Sequence, residues 1–291
     1  MAVEMRLSGG LGNQLHQFAA GVAIAGSLRT TLNLNLTTVN LGSNANRKFE
    51  LDCFDINDLR TDVKFTGKPY FWKVVVRKIA SRYMLNLDQF LVKSNVSYAE
   101  TSQSPREQIS KISDGSIIGG HFATFEWVEL AREYGFKPRI KKSLVGSEAI
   151  SLSKEISSKD VAIHLRFGDF MANPDIFPVV SDEFVDRALK ALNSFDRIWI
   201  FTDDLKSAYE LCPRIMKRAF NIVPREKLNG IESFWLMGKF SKFITGNSTF
   251  STWAAYLSEV ENIEVVTPTP HLLNGWIDGL PKNWKRVPIT Q

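Results

Sequence analysis

Four short stretches of the 291-residue chain hold residues that could do chemistry. The first is GGLGNQL, residues 9–15, where glycines stop a short apolar run and Asn13 opens a helical pattern. Glycines at a strand-to-helix junction let the main chain come close to another object, and a helix start offers N–H groups and a partial positive charge. That suits an anion, so a phosphorylated ligand is the first expectation and a plain tight turn the alternative. Gly10 and Gly12 have the first spacing of a dinucleotide fingerprint, but Leu15 stands where its third glycine would permit tight helix packing. Nicotinamide or flavin binding is therefore not expected. The Gly-x-x-x-x-Gly-Lys-Ser/Thr loop of nucleoside-triphosphate sites is missing from the sequence.

The second stretch is AIHLRFGDF, residues 162–170, with His164, Arg166 and Asp169 on one strand and its end. Such groups are costly to bury without partners. Either Arg166 and Asp169 form a structural ion pair, or the Arg166 guanidinium grips a diphosphate oxygen while Asp169 points into a crevice. The third is FTDD, residues 201–204, where Asp203 and Asp204 end an apolar strand. Paired acids suggest a metal, yet the D-x-D of metal-dependent sugar-nucleotide sites occurs nowhere in the chain, and no metal is expected. A carboxylate here could accept hydrogen bonds from a base or ribose, or cap the next helix. In the fourth, FITGNSTFSTWAAYLS at 243–258, Asn247, Ser248 and Thr249 follow a strand and precede a helix. They could cap that helix or build an anion nest, and two helix starts, one per half, could embrace a single diphosphate. Of the histidines, His16 should pack within its helix, His271 lies in a loop without visible partner, and His121 follows Gly119 and Gly120 at a strand end.

These residues need elements to hold them, and strand-like segments alternate with helix-like ones as in parallel α/β layers. EMRLS leads to a helix over about 13–29, then TTLNLNL alternates as a strand. Residues 40–115 are less regular and contain a basic, aromatic segment and NLDQFLV; GSIIGGHF and EWVELAREYG then read as strand and helix. A helix over about 147–157 precedes a domain boundary, giving expected domains 1–156 and 157–291. Beyond it, VAIHLR, RIWIFTDD, AFNIV, SKFITG and IEVVTP are strands, with helices between them. That is a doubly wound sheet, in which ligands sit at the carboxyl ends of the strands.

Composition agrees with a globular enzyme-sized chain: 44% hydrophobic residues, no low-complexity tract and no apolar run able to cross a bilayer. Cys53 and Cys212 are far apart, which indicates neither a disulfide framework nor a zinc site. The start MAVEMRLSGG is a poor signal peptide, so a cytoplasmic setting is expected. The net charge of +5 lies in the first half, where Lys+Arg outnumber Asp+Glu 20 to 15 over residues 1–156, against 16 to 16 over 157–291. Part of the excess is Lys68, Lys73, Arg77, Lys78 and Arg82. Residues 68–84 read either as a solvated helix with an apolar underside or as a peripheral contact with the inner face of an anionic membrane. Nucleic acid is not expected, because no recognised motif accompanies the patch.

Together GGLGNQL, HLRFGD, FTDD and GNSTFSTWAAYLS resemble glycosyltransferase family 11, the α-1,2-fucosyltransferases, in order along nearly the whole chain; GGHFATFEWV and LPKNW are similar to further family segments. The resemblance implies a GT-B fold of two facing Rossmann-like domains, an acceptor-side N-terminal domain and a donor-binding C-terminal one. It implies metal-independent, inverting transfer of fucose from GDP-fucose to the 2-hydroxyl of a galactoside, in a glycan or lipid-linked oligosaccharide on the way to a surface polysaccharide. By the same likeness Arg166 would hold the diphosphate and His164 and Asp203 would lie near the guanosine. Asn247, Ser248, Thr249 and the Gly10–Asn13 backbone, with the Asn13 side chain, would sit at the phosphates. Asp169 is the first choice of base, with Glu126 and His121, on the acceptor side, in reserve. The family usually writes two successive arginines where this chain has Arg166 and Phe167. That departure bears on donor choice and linkage, and leaves open another GDP-sugar or a non-catalytic GDP-sugar-binding protein.

Overall fold

The segment VAIHL, Val161–Leu165, is buried at all five positions, as a central parallel strand covered on both faces must be. Its apolar character, broken only by His164, comes from that double burial. The computed structural model describes residues 2–37, 39, 48–66, 96–97, 104–224, 226–273 and 279–289. The basic segment 68–84 and NLDQFLV lie outside the described residues.

Two compact units are formed, one of Met1–Asp52 with Ile56–Pro138, the other of Cys53–Asp55 with Arg139–Gln291. The strands in chain order are β1 Ala2–Arg6, β2 Thr31–Asn35, β3 Phe54–Asp55, β4 Val63–Thr66, β5 Val96–Ser97, β6 Ile117–Gly119, β7 Arg139–Ile140, β8 Val161–Leu165, β9 Ile198–Thr202, β10 Ala219–Pro224, β11 Lys242–Ile244, β12 Glu264–Thr269 and β13 Lys285–Pro288. The first unit holds helices α1 Leu11–Leu28, α2 Pro105–Ile109 and α3 Phe125–Arg132. The second holds α4 Ser147–Ser153, α5 Asp182–Ala191, α6 Leu205–Leu211, α7 Pro213–Arg218, α8 Gly230–Met237 and α9 Thr249–Tyr256.

In the first unit a parallel sheet runs β4-β2-β1-β6-β5. Alternate burial of Val3 and Met5 on β1 and of Leu32 and Leu34 on β2 puts one face of these strands under α1. Gly21 of α1 lies so close to β2 that an added Cβ would stand 2.9 Å from Leu32 Cδ1.

The second sheet is also parallel, with order β10-β9-β8-β11-β12-β13. Renumbered from β8, this is the 3-2-1-4-5-6 order of a doubly wound dinucleotide-type fold. Strand order reverses between β8 and β11, so the crevice beyond their carboxyl ends is where the topology itself makes room for a ligand. One face buries Val161, Ile163, Leu165, Ile200, Ile244 and Val266 against α5, α6 and α7. At the opposite end Asp160, wholly buried, accepts from Arg197, from Trp199 Nε1 at 3.0 Å and from the Ser157 amide at 3.0 Å.

The units divide after residue 138, earlier than the expected domains 1–156 and 157–291. Residues 139–156 join the second unit for a physical reason. Helix α4 buries Ala149 and Leu152, packs on α8, and its N-cap Gly146 donates its amide to Glu232 Oε1 at 3.0 Å. A further piece comes from well upstream. Strand β3 pairs antiparallel with β7, and Phe54 meets Phe234 of α8 edge-on with centroids 6.0 Å apart.

Candidate functional site

Strand β8 delivers His164 and Leu165 to its carboxyl end, followed by Arg166 and Phe167. The register with β9 places Leu165 beside Thr202, so Arg166 and Asp203 emerge from neighbouring strands at the same level. Their side chains meet, Nη1 to Oδ2 at 2.7 Å, with 19% and 12% of each exposed. The same carboxylate accepts the Phe167 amide at 2.9 Å through Oδ1. An added Cβ at Gly168 would press on Asp203 Oδ2, so a larger residue there would displace the carboxylate from this position. Asp203 is thus the partner of Arg166, and its hydrogen bonds go to the β8 end; the base-reading role expected for it competes with this engagement. Asp204 turns the other way and caps α6, accepting from the Ser207 amide at 3.1 Å and hydroxyl at 2.7 Å, which holds its carboxyl below the usual range. A guanidinium carries five N–H donors, more than one carboxylate can accept.

His164 is 6% exposed and lies tilted at 36° against Phe250, with ring centroids 5.6 Å apart. Burial, reinforced by the positive charge of Arg166, pushes its pKa down to about 3. The ring is therefore neutral at ordinary pH, with one N–H donor and one acceptor nitrogen. It can orient a polar group but is a poor proton acceptor near neutrality. Its Nδ1 is buried with no hydrogen-bond partner among the described residues.

Across the switch point, β11 ends in Thr245, Gly246 and Asn247. Gly246 sits so close to β8 that a Cβ would lie 3.1 Å from the His164 carbonyl. Asn247 is buried and donates Nδ2 to the Pro178 carbonyl at 2.8 Å, while its Oδ1 has no partner among the described residues. Ser248 is the N-cap of α9, its hydroxyl accepting from the Phe250 amide at 3.3 Å, and no acidic side chain stands in the first turn. Thr249 is the first helical residue. His164, Arg166, Asp203, Asn247, Ser248 and Thr249 are accordingly brought to one sheet edge, by β8, β9 and β11. A neutral imidazole, a guanidinium and a helix N-terminus at such an edge are suited to an anionic ligand with a polar heterocycle. Asp169 falls in the short 3₁₀ turn Gly168–Phe170 on the same edge.

Phe167, the departure from the family's second arginine, is 0% exposed and packs with Leu165, Val180 and Phe184 in the core. Two aromatic residues beyond it escaped notice in the sequence: Phe170 and Phe177 stack with centroids 4.0 Å apart.

The glycine loop of the first unit occupies the equivalent edge there. Gly10 is the N-cap of α1 in extended backbone, with no side-chain cap and no acid in the first turn. Gly9, which the fingerprint reading passed over, has φ of +74° and would press a Cβ to 2.6 Å from Asn13 Nδ2. Gly12 and Asn13 belong to the first turn of α1. Two buried glutamines brace the loop. Gln14 bonds the carbonyls of Gly9 and Lys48, at 3.0 and 2.8 Å, and accepts from the Glu50 amide at 3.0 Å. Gln17 joins Ser8 to the Gly120 carbonyl, 2.9 Å away, tying the ends of β1 and β6. His16 packs edge-on against Phe125 at 5.1 Å, as its place inside a helix implies. His121 and Glu126 are exposed, just past β6 and in the first turn of α3. Among the described residues no group of three or more His, Cys, Asp or Glu is placed to hold a metal ion, and no helix is long and apolar enough to cross a membrane.

Residues 131–273, which contain the β8, β9 and β11 ends, match the model of Glycosyl transferase family 11. Over these residues the chain is similar to that family of glycosyltransferases. It is 24% identical over 306 residues to an alpha-1,2-colitosyltransferase of Escherichia coli, covering 98% of each chain. With the O-antigen biosynthesis glycosyltransferase WbnK of Escherichia coli it shares 25% over 285 residues, covering 90% of this chain and 92% of the relative. Its fold resembles that of NodZ alpha-1,6-fucosyltransferase soaked with GDP-fucose, with a TM-score of 0.50, 12% identity, and 90% and 96% of the two chains covered. The NodZ fucosyltransferase from Bradyrhizobium gives a TM-score of 0.50 at 13% identity, over 88% and 92%. At such identity the likeness speaks for the fold, an α/β architecture of two parallel sheets of the GT-B class.

Proposed function

We propose that the protein transfers a 6-deoxyhexose, L-fucose in the first instance, from its GDP conjugate to the 2-hydroxyl of a galactoside, in the assembly of a bacterial O-antigen. The observation that carries this reading is the edge formed by Arg166, the α9 N-terminus and buried His164 and Asn247, whose unmatched polar atoms call for a ligand or water. We assign donor binding to the second unit and acceptor contacts to the first. The colitosyl and O-antigen names of the relatives, and the GDP-fucose soaked into NodZ, support a deoxyhexose donor. Colitose, a 3,6-dideoxyhexose, is the second donor to consider for the same reason.

Transfer with inversion is a single displacement with oxocarbenium character, in which negative charge collects on departing GDP. Fixed positive groups aimed at that charge supply much of the acceleration. Arg166 would take the diphosphate, with the Ser248 and Thr249 end of α9. Asn247 would order the strand end, and His164 would give a neutral hydrogen bond toward the nucleoside. Gly10, Gly12 and Asn13, at the amide-rich start of α1, are the first unit's own candidate for a phosphate contact. Asp169 is the proposed base, with Glu126 and His121 next, and no divalent ion takes part.

The test is titration of GDP by calorimetry, followed by turnover of GDP-fucose with free galactosides in the presence and absence of EDTA. Binding of GDP and EDTA-insensitive transfer are expected. Chelator-sensitive turnover removes the metal-free mechanism; GDP binding without transfer or donor hydrolysis would favour a non-catalytic binder.

A further inference from the structure

Beyond Arg166 the chain does not run straight to α5 but folds into a tight, tethered loop. The Met171 amide bonds the Phe167 carbonyl at 2.9 Å, Asn173 bonds Phe170 at 3.0 Å, and Ile176 and Phe177 both bond the Asn173 carbonyl at 3.1 Å. The loop is then fixed at its far end. Leu273 donates its amide to the Ile176 carbonyl at 2.9 Å, and Asn247 holds Pro178. Within this loop Phe170 and Phe177 lie parallel, 6° from coplanar with centroids 4.0 Å apart. Parallel rings at that centroid distance form an offset stack, one of the contacts aromatic quadrupoles favour. The loop's own hydrogen bonds hold the arrangement in place. Both rings stay partly exposed, flanked by exposed Met171 and Ile176. The Arg166 guanidinium carbon lies 5.5 Å from the Phe170 centroid.

We propose that the Phe170–Phe177 pair is a preformed platform for the apolar face of the donor's deoxyhexose, beside the arginine that takes its diphosphate. This rests on the donor reading given above and goes beyond it by naming what selects the sugar. In a nucleoside diphosphate sugar the anomeric carbon is bonded to an oxygen of the terminal phosphate. A flat apolar surface about one ring's width from the phosphate-binding guanidinium is therefore where the hexose lies. A deoxyhexose turns methyl and methine hydrogens toward such a surface at no cost in hydrogen bonds. A sugar with a hydroxymethyl group would have to strip water from a hydroxyl that finds no acceptor there. Phe167, at the position where the family's second arginine stands, is sealed in the core and offers no such surface.

The experiment compares GDP-L-fucose with GDP-L-galactose, which differs from it only by the hydroxyl at C6, in the unmodified protein and in Phe170→Leu, Phe177→Leu and Phe170→Tyr. Leucine keeps apolar bulk and removes the flat face; tyrosine keeps the face. Each leucine change should lower kcat/KM for GDP-fucose about tenfold and erase the preference for the deoxy sugar. GDP affinity, read by calorimetry, should stay within about twofold, and Phe170→Tyr, which keeps the flat face, should retain the preference for the deoxy sugar. Normal GDP binding with undiminished GDP-fucose turnover and preference in both leucine variants overturns the platform and leaves the donor reading standing. A matching loss of GDP affinity in the leucine variants also overturns it, since the rings would then serve the nucleotide or the loop. Failure of the unmodified protein to bind GDP overturns the donor reading itself.

Discussion

The Asp203 carboxylate holds Arg166 through one oxygen and the Phe167 amide through the other, so a single side chain sets both the guanidinium and the backbone beneath it. A charge oriented in advance costs nothing to reorganise as a leaving group ionises. Loss of one comparable donor costs about 2.7–4 kcal/mol of transition-state stabilisation, so Arg166→Ala should cut kcat by roughly a hundredfold or more while the fold persists. Steady-state kinetics beside far-ultraviolet circular dichroism checks both halves of that expectation. His164 gives a second measurable effect. Its pKa falls from 6.5 to about 3 on folding, so the unfolded chain binds the extra proton between those values. The stabilising contribution is present above pH 6.5 and is lost as pH falls, by about 1.4 kcal/mol per unit at most. Urea titrations from pH 7 to 5 should show His164→Gln losing stability less steeply than the unmodified protein. Arg166, Asp203 and Asn247 were legible in the sequence because charged or amide side chains directly after apolar strands have few other reasons to be there. Gly168, Gln14, Gln17 and the Phe170–Phe177 stack were not, because each is defined by a contact with residues elsewhere in the chain.

The helices divide their N-termini between duties. Asp204 closes the start of α6 with its own carboxylate, whereas α9 has only the Ser248 hydroxyl and α1 has no side-chain cap. An anion is welcome at the last two and shut out at the first. Asp204→Ala should therefore lower stability by about 1 kcal/mol, the usual worth of a cap, and leave turnover nearly unchanged. Chemical denaturation and kinetics on the same preparation separate those effects, and a large fall in kcat would place Asp204 in the chemistry after all. The alternation of strands and helices after residue 160 was readable from pattern, since β8 and β9 are buried at every position and α5 has a Ser181 cap, acids in its first turn and one apolar face. Strand β13 was not, because Lys285 and Arg286 disguise it. Nor were β3 and β7, whose two residues each carry no periodicity.

For the molecule as a whole, the sequence correctly announced two parallel sheets and the likeness to the family, but not where one compact unit yields to the other. Pattern marks the start of β8 as a fresh beginning, whereas the packing of α4 on α8 is a contact across many residues that no local pattern reports. The division has a practical consequence in Cys53–Asp55. Those three residues sit more than eighty positions ahead of β7, yet complete its ladder, bury Cys53 and Phe54, and accept the Lys141 amide at 2.9 Å. A chimera that exchanges the second unit between relatives by one splice near residue 139 would strand Ile140 beside a foreign or missing neighbour. Modular shuffling of this protein calls for two crossovers, with a tripeptide travelling alongside the large fragment.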